Sequence, residues 1–192
     1  MRMKGSRQLA ATRADVWAKL NDAEVLKRCI PGCDSLEKVS DTEFKGTVAL
    51  KVGPVSARFN GHVKLSDINP PASYRISGSG KGGPAGMASG GANVRLEQNA
   101  SGTLLTYDVD AKVSGKIAQL GQRLIDATAA QLADKFFENF AREVEGPSAA
   151  AAVGSEPELA PKRQGLPRWV VGGVVIGALA LGAYLLWGSG IR

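Results

Sequence analysis

One long amphipathic segment, residues 116–145, constrains the fold more than any other part of the sequence. Apolar side chains recur there at intervals of three and four residues, which predicts a single helix of about eight turns. The predicted apolar stripe consists of Ile117, Leu120, Leu124, Thr128, Leu132, Phe136, Phe140 and Val144. A helix of this length needs a broad apolar surface to cover its stripe, and the preceding part of the chain must provide it.

Shorter segments with a two-residue period precede this helix. In 44–52 and again in 55–65, apolar or small residues alternate with polar ones. Two short helices, one capped by Thr12 and one at 23–28, come before these strands. Further strands are predicted at 3–9, 74–78, 88–96 and 105–113. This order predicts an α+β fold, in which a curved antiparallel sheet of six to seven strands wraps around the long helix.

Small residues occupy many positions that the alternation places on the covered face of the sheet. They are Gly46, Ala57, Gly61, Gly78, Gly90, Ala92 and Ala111. Because protein interiors are close-packed, this missing volume must be replaced by closer approach or by a cavity. A curved sheet cannot close on a helix everywhere, so we expect an elongated apolar cavity between them. The alternative is that the glycines only mark bulges and bends that coil the sheet.

The same alternation predicts which side chains line this cavity. The expected lining consists of Val48, Leu50, Ala57, Phe59, Gly61, Tyr74, Ile76, Met87, Ala92, Tyr107, Val109, Leu120, Leu124, Ala127, Thr128 and Phe136. The two tyrosine hydroxyls are candidates for a hydrogen bond to the polar end of a ligand, or for ordinary core positions. The segment 78–91 has seven glycines and is expected to form a flexible hairpin at the cavity mouth, with Met87 as its apolar tip.

Catalytic and metal-binding groupings are weak in this sequence. His62 is the single histidine, and the alternation places it on the outer face of a strand together with Asp108 and Asp110. Cys29 and Cys33 lie four residues apart without the further ligands that zinc needs, so we expect two half-buried thiols beside a turn. The net charge of +6 comes without a basic stripe interleaved with aromatic residues. We therefore expect neither an enzyme nor a metal site nor a nucleic-acid partner.

The composition changes abruptly after the long helix. Residues 146–167 are rich in Ala, Pro, Gly and Ser and have no periodicity, which predicts a flexible linker. Residues 168–188 contain an uncharged run with tryptophan at each end, and as a helix this run is about 28 Å long. The sequence therefore predicts a single transmembrane helix, followed by a short tail at 189–192.

The flanking charges predict how this helix is oriented. Lys162, Arg163 and Arg168 lie before the uncharged run and only Arg192 follows it, which predicts that domain 1–145 lies in the cytoplasm. The N-terminus lacks the apolar core of a secretory signal. We therefore expect a single-pass protein of the cell membrane that is anchored at its C-terminus. Gly173 and Gly177 form a GxxxG pair, so dimerisation through this helix stays open.

Several short motifs in residues 1–145 match a known family. They are RCIPGCD at 28–34, LEKVSDTEF at 36–44, LKVGPVSARF at 50–59, LTYD at 105–108 and GKIAQLGQRLID at 115–126, with Val16, Trp17, Leu20, Asn21 and the 78–91 loop. On these motifs the domain resembles the CoxG family of carbon monoxide dehydrogenase subunits, within the START-like (SRPBCC, helix-grip) superfamily. The resemblance implies a helix-grip fold with a deep hydrophobic cavity beneath the long helix.

The resemblance also implies a partner, since the family is associated with molybdenum hydroxylases that oxidise carbon monoxide and pass electrons to the respiratory chain. We therefore expect an accessory protein of molybdenum carbon monoxide dehydrogenase or a related molybdenum hydroxylase. It would take a quinone, menaquinone or ubiquinone, from the membrane lipid and quinone pool and recruit the enzyme to the membrane. Two alternatives stay open: an assembly or maturation factor for the dehydrogenase, and a carrier of another hydrophobic ligand or lipid for another partner.

Overall fold

The period-two segments form seven antiparallel strands in the computed structural model, which describes residues 1–146. In chain order they are β1 (Arg2–Leu9), β2 (Cys33–Ser40), β3 (Glu43–Val52), β4 (Val55–Asn69), β5 (Ser73–Lys81), β6 (Met87–Asn99) and β7 (Gly102–Ser114). Their order across the sheet is β1-β7-β6-β5-β4-β3-β2, so β1 and β2 are the edge strands. The predicted α+β fold, with a curved antiparallel sheet and a C-terminal helix, is confirmed.

Three α-helices complete the domain: α1 (Arg13–Leu20), α2 (Ala23–Cys29) and α3 (Gln122–Glu145). The hydroxyl of Thr12 accepts a hydrogen bond of 3.2 Å from the backbone N–H of Asp15, which confirms the predicted cap of α1. Asp22 caps α2 in the same way through the N–H groups of Glu24 and Val25. Both short helices follow edge strand β1 and pack against α3 and the sheet.

The long helix begins later than the sequence period predicts, at Gln122 and not at residue 116. A short 3₁₀ turn, Ala118–Leu120, precedes it, and Gly121 has a φ of +88°, which no helical residue adopts. The apolar spacing continues across this break because the turn and the helix both place side chains against the domain. Only Gly121 marks the break in the sequence.

The face that α3 buries also differs from the predicted stripe. The buried residues are Ile125, Ala129, Ala133, Phe136, Phe137 and Phe140. Only Phe136 and Phe140 were predicted, whereas Leu124 is 37% exposed and Ala127 is exposed as well. Alanine contributes little to an apolar pattern, yet its small side chain lets the helix backbone approach the sheet closely. The prediction that Leu124 and Ala127 face the interior is therefore wrong.

The glycine-rich segment 78–91 forms a hairpin, as predicted, but most of the segment is strand, and Met87 begins β6 instead of standing at the tip. Gly78 pairs with Gly90, and β5 and β6 leave only residues 82–86 between them. The glycines are needed for close approach, since a Cβ at Gly90 would stand 2.3 Å from the carbonyl oxygen of Asp110 on β7. Glycine here indicates tightly packed strands, not a loop.

No helix within residues 1–146 is long and apolar enough to cross a membrane. The predicted transmembrane helix at 168–188, its GxxxG pair and the tail at 189–192 lie outside the described residues, as does the linker beyond Gly146. These predictions stay predictions.

Candidate ligand-binding site

An apolar pocket of about 80 Å³ lies between the sheet and α3, and we call it the inner pocket. Side chains from α1, α2, α3 and strands β2 to β7 line it. Five residues predicted to line a cavity contribute to this wall: Val48, Gly61, Tyr74, Ile76 and Phe136. The wall is almost entirely apolar, which suits a hydrophobic guest and excludes a solvated ion.

A second apolar pocket, of about 70 Å³, lies near the start of α3, and we call it the end pocket. Four of the predicted residues line it: Leu50, Phe59, Met87 and Thr128. Val48 and Leu50 are consecutive inward positions of β3 but face different pockets. The two pockets therefore lie end to end along the strand, in place of the single elongated cavity that the sequence predicts.

The remaining predicted residues line neither pocket. They are Ala57, Ala92, Tyr107, Val109, Leu120, Leu124 and Ala127. Ala92, Tyr107 and Val109 are buried in the core, Ala57 and Leu120 are half-buried, and the other two are exposed on α3. Single-strand alternation placed the strand residues on the correct face, but it could not show where along that face space remains.

Several wall residues of the inner pocket were missed by the sequence reasoning. Leu20 comes from α1, Leu26 comes from α2, and Ile30 directly follows α2. Phe137 comes from α3. The apolar sides of the short helices were visible in the sequence, but nothing local says that they close the open end of the sheet. Phe137 was missed because the predicted stripe of α3 was shifted.

Tyr74 lines the inner pocket and Tyr107 lines neither pocket, and both residues are buried as predicted. Burial raises the pKa of both phenols, so each is neutral at physiological pH and able to donate a hydrogen bond. The Tyr74 ring packs edge-on against Trp17, with 5.2 Å between centroids. The Tyr107 ring stacks on Phe137 at 5.5 Å. Neither phenol is poised to exchange a proton near neutral pH.

A surface groove of about 410 Å³ lies between edge strand β1 and α3. Arg7 on β1 forms an ion pair with Asp134 on α3 across this groove. The guanidinium carbon of Arg7 also lies 5.5 Å from the centroid of the Phe137 ring. Phe137 lines both the groove and the inner pocket, so one side chain forms the wall between them.

The outer face of the sheet carries the ionisable residues that the sequence placed there. Lys4 Nζ lies 2.7 Å from Asp108 Oδ2, and Arg2 Nε lies 3.2 Å from Asp110 Oδ2. Both are exposed ion pairs between the neighbouring strands β1 and β7. His62 Nε2 is 3.5 Å from the Glu43 carboxylate on the same face. Within residues 1–146, no group of three His, Cys, Asp or Glu side chains is placed to hold a metal ion.

Both cysteines are free thiols beside the turn that follows α2. Cys29 is fully buried, and this burial raises its pKa to about 12. Cys33 is half-buried, its pKa is also raised by burial, and its thiol donates to the carbonyl oxygen of Ser35 at 3.4 Å. Because the thiolate is the reactive form, neither side chain is suited to nucleophilic chemistry at neutral pH.

Solved structures show which proteins this domain is similar to. A conserved protein from Geobacillus kaustophilus is 33% identical, with a TM-score of 0.71, over 76% of this chain and 95% of that one. A START superfamily protein from Mycobacterium smegmatis is 12% identical, with a TM-score of 0.58, over 75% and 97% of the two chains. A protein from Thermus thermophilus is 15% identical, with a TM-score of 0.59, over 78% and 100%. The last two show the fold alone.

No curated protein matches the chain. The family model for CoxG, a carbon monoxide dehydrogenase subunit, matches residues 5–145, which is almost the whole described domain. The match begins in β1 and ends with α3, so it includes every element that surrounds the two pockets. The chain therefore belongs to the CoxG family of carbon monoxide dehydrogenase subunits, with a START-like fold.

Proposed function

We propose that the protein is a membrane-anchored accessory protein of molybdenum carbon monoxide dehydrogenase, or of a related molybdenum hydroxylase, that carries a respiratory quinone. The observation that carries this proposal is the pair of apolar pockets between the sheet and α3 in a chain of the CoxG family. A water-soluble dehydrogenase needs access to a quinone whose isoprenoid tail keeps it in the lipid. A tethered domain that covers the quinone with apolar side chains meets that need.

The pocket volumes fit this role only if the domain adapts to its guest. An apolar cavity of about 150 Å³ is large enough to bind benzene. The inner pocket, of about 80 Å³, and the end pocket, of about 70 Å³, reach that size only when they are joined. We infer that the side chains between them, or Phe137 on the groove side, move when a ring compound binds.

The tail provides the other half of the proposed function. A helix at 168–188 would hold the protein in the cell membrane as a single-pass anchor, with the domain on the cytoplasmic side. A flexible linker of 22 residues would let the domain move roughly 25 Å from the bilayer. The domain would thereby reach both the lipid surface and the dehydrogenase, which would be recruited to the membrane.

The test uses the full chain purified from membranes that contain menaquinone or ubiquinone. Solvent extraction and mass spectrometry should find quinone at a ratio to protein well above that of an equal amount of membrane lipid. In cells, deletion of residues 168–192 should move the dehydrogenase from the membrane fraction to the soluble fraction. A quinone ratio equal to that of the lipid would contradict the carrier role, and an unchanged membrane fraction of the dehydrogenase would contradict recruitment.

A further inference from the structure

The hydroxyl of Tyr107 is a buried polar group without a hydrogen-bond partner in residues 1–146. The residue is only 3% exposed, so its hydroxyl has little access to bulk solvent. Its oxygen lies beneath β1, where a Cβ at Gly5 would stand only 2.2 Å away. An unpaired buried hydroxyl costs free energy, and a bound hydrogen-bond acceptor would recover it.

Arg7 lies on β1 two residues from Gly5, and therefore on the same face of the strand as Gly5. Tyr107 and Arg7 both contact the Phe137 ring. The centroid of the Tyr107 ring and the guanidinium carbon of Arg7 each lie 5.5 Å from the centroid of that ring. Asp134 pairs with Arg7 and neutralises its charge. The cluster thus offers two hydrogen-bond donors without a net positive charge.

Phe137 connects this cluster to the apolar space. Its ring is a wall of the inner pocket on one side and of the surface groove between β1 and α3 on the other. Rotation of this ring would join the inner pocket, of about 80 Å³, with the groove, of about 410 Å³. Arg7 lines the groove, whereas Tyr107 lines neither space and stacks on Phe137, so a guest would reach its hydroxyl only when the Phe137 ring moves.

We propose that Tyr107, with Arg7 as a second donor, forms a polar subsite that binds a carbonyl oxygen of an apolar ring compound. The inference rests on the proposed function and adds how the ligand is oriented: the carbonyl faces β1 and the ring lies against Phe137. A pure hydrocarbon gains nothing from this subsite. A carboxylate gains little, because Asp134 already neutralises Arg7. The subsite therefore selects neutral carbonyl compounds, of which quinones are one class.

Two probes of nearly identical shape isolate the carbonyl contribution. Menadione and 2-methylnaphthalene share the fused ring and the methyl group, and only menadione carries carbonyl oxygens. Their affinities would be measured by equilibrium dialysis of the full chain in phosphatidylcholine nanodiscs, against empty nanodiscs. Tyr107→Phe should weaken menadione binding about 5- to 10-fold, as the loss of one hydrogen bond predicts. The affinity for 2-methylnaphthalene should stay within about twofold of the wild type.

A matched pair of arginine variants provides the control. Arg7→Gln should weaken menadione binding selectively. Arg2→Gln removes an exposed arginine of the same strand, paired with Asp110 on the outer face, and should change neither affinity. As a second readout, urea unfolding without ligand should show Tyr107→Phe to be at least as stable as the wild type, because the variant loses only an unpaired hydroxyl.

Each outcome separates the subsite from the carrier function. If the wild type binds both probes and Tyr107→Phe leaves menadione affinity unchanged, or weakens both probes equally, the subsite is overturned while the carrier function stands. If Tyr107→Phe is less stable without ligand, the hydroxyl is satisfied within the protein, which also overturns the subsite. If neither probe binds the wild type above empty nanodiscs, the carrier function fails and the subsite fails with it.

Discussion

Replacement of Phe140 by alanine is expected to lower the free energy of unfolding by about 3–5 kcal/mol. Phe140 is fully buried and lies within the main hydrophobic core. Its ring stacks on Phe136 at 5.6 Å between centroids, and Phe136 in turn packs edge-on against Phe137 at 5.1 Å. Removal of the ring leaves a cavity that this aromatic cluster cannot fill, because its members are held by the sheet and by α3.

Urea unfolding of the full chain, followed by circular dichroism, measures this loss. The matched control is Leu124→Ala on the same helix, which should cost less than about 1 kcal/mol because Leu124 is 37% exposed. Equal losses in the two variants would mean that α3 does not bury the face described above.

Replacement of Gly86 by alanine should cost about 3 kcal/mol, through the backbone and not through lost contacts. Gly86 has a φ of +118°, and a Cβ there would stand 2.0 Å from the carbonyl oxygen of Ser114. The strain would also reach α3, because Ala85 next to it accepts a hydrogen bond of 3.0 Å from the N–H of Ile117, in the segment that leads to the helix.

Gly83 provides a control within the same connection between β5 and β6. Its φ is +56°, but a Cβ there would have no atom within 4 Å. Gly83→Ala should therefore cost only the left-handed backbone penalty, about 1–2 kcal/mol. Both variants are compared by urea unfolding. If Gly86→Ala lowers the free energy of unfolding no more than Gly83→Ala does, the close approach of this loop to β7 is contradicted.

The sheet could be predicted because its information is local. Alternation along β4 placed Phe59 and Leu65 inside and Arg58 outside, and the structure places them in the same way. The caps of the short helices are local as well, since Thr12 and Asp15 are only three residues apart. Inward positions on a strand follow from its period once one of them is known.

The helix face and the pockets could not be predicted, because they depend on contacts between distant segments. Arg7 and Asp134 are far apart in the sequence, and neither residue alone indicates a pair across a groove. The inward face of α3 includes Ala129 and Ala133, which are buried although alanine contributes little to an apolar pattern. The volume of a pocket is the small difference between the space that the sheet and α3 enclose and the volume of the side chains that fill it. The alternation along a strand does not report this difference.

The central claim is that the space between the sheet and α3 receives an apolar guest, and Val48→Phe tests it most directly. Val48 is 3% exposed and lines the inner pocket, so a phenylalanine ring there would occupy the space proposed for the guest. Titration of this variant with 2-methylnaphthalene should give an affinity at least about tenfold weaker than that of the wild type, with unfolding free energy changed by less than about 1.5 kcal/mol. An unchanged affinity for 2-methylnaphthalene would contradict the claim.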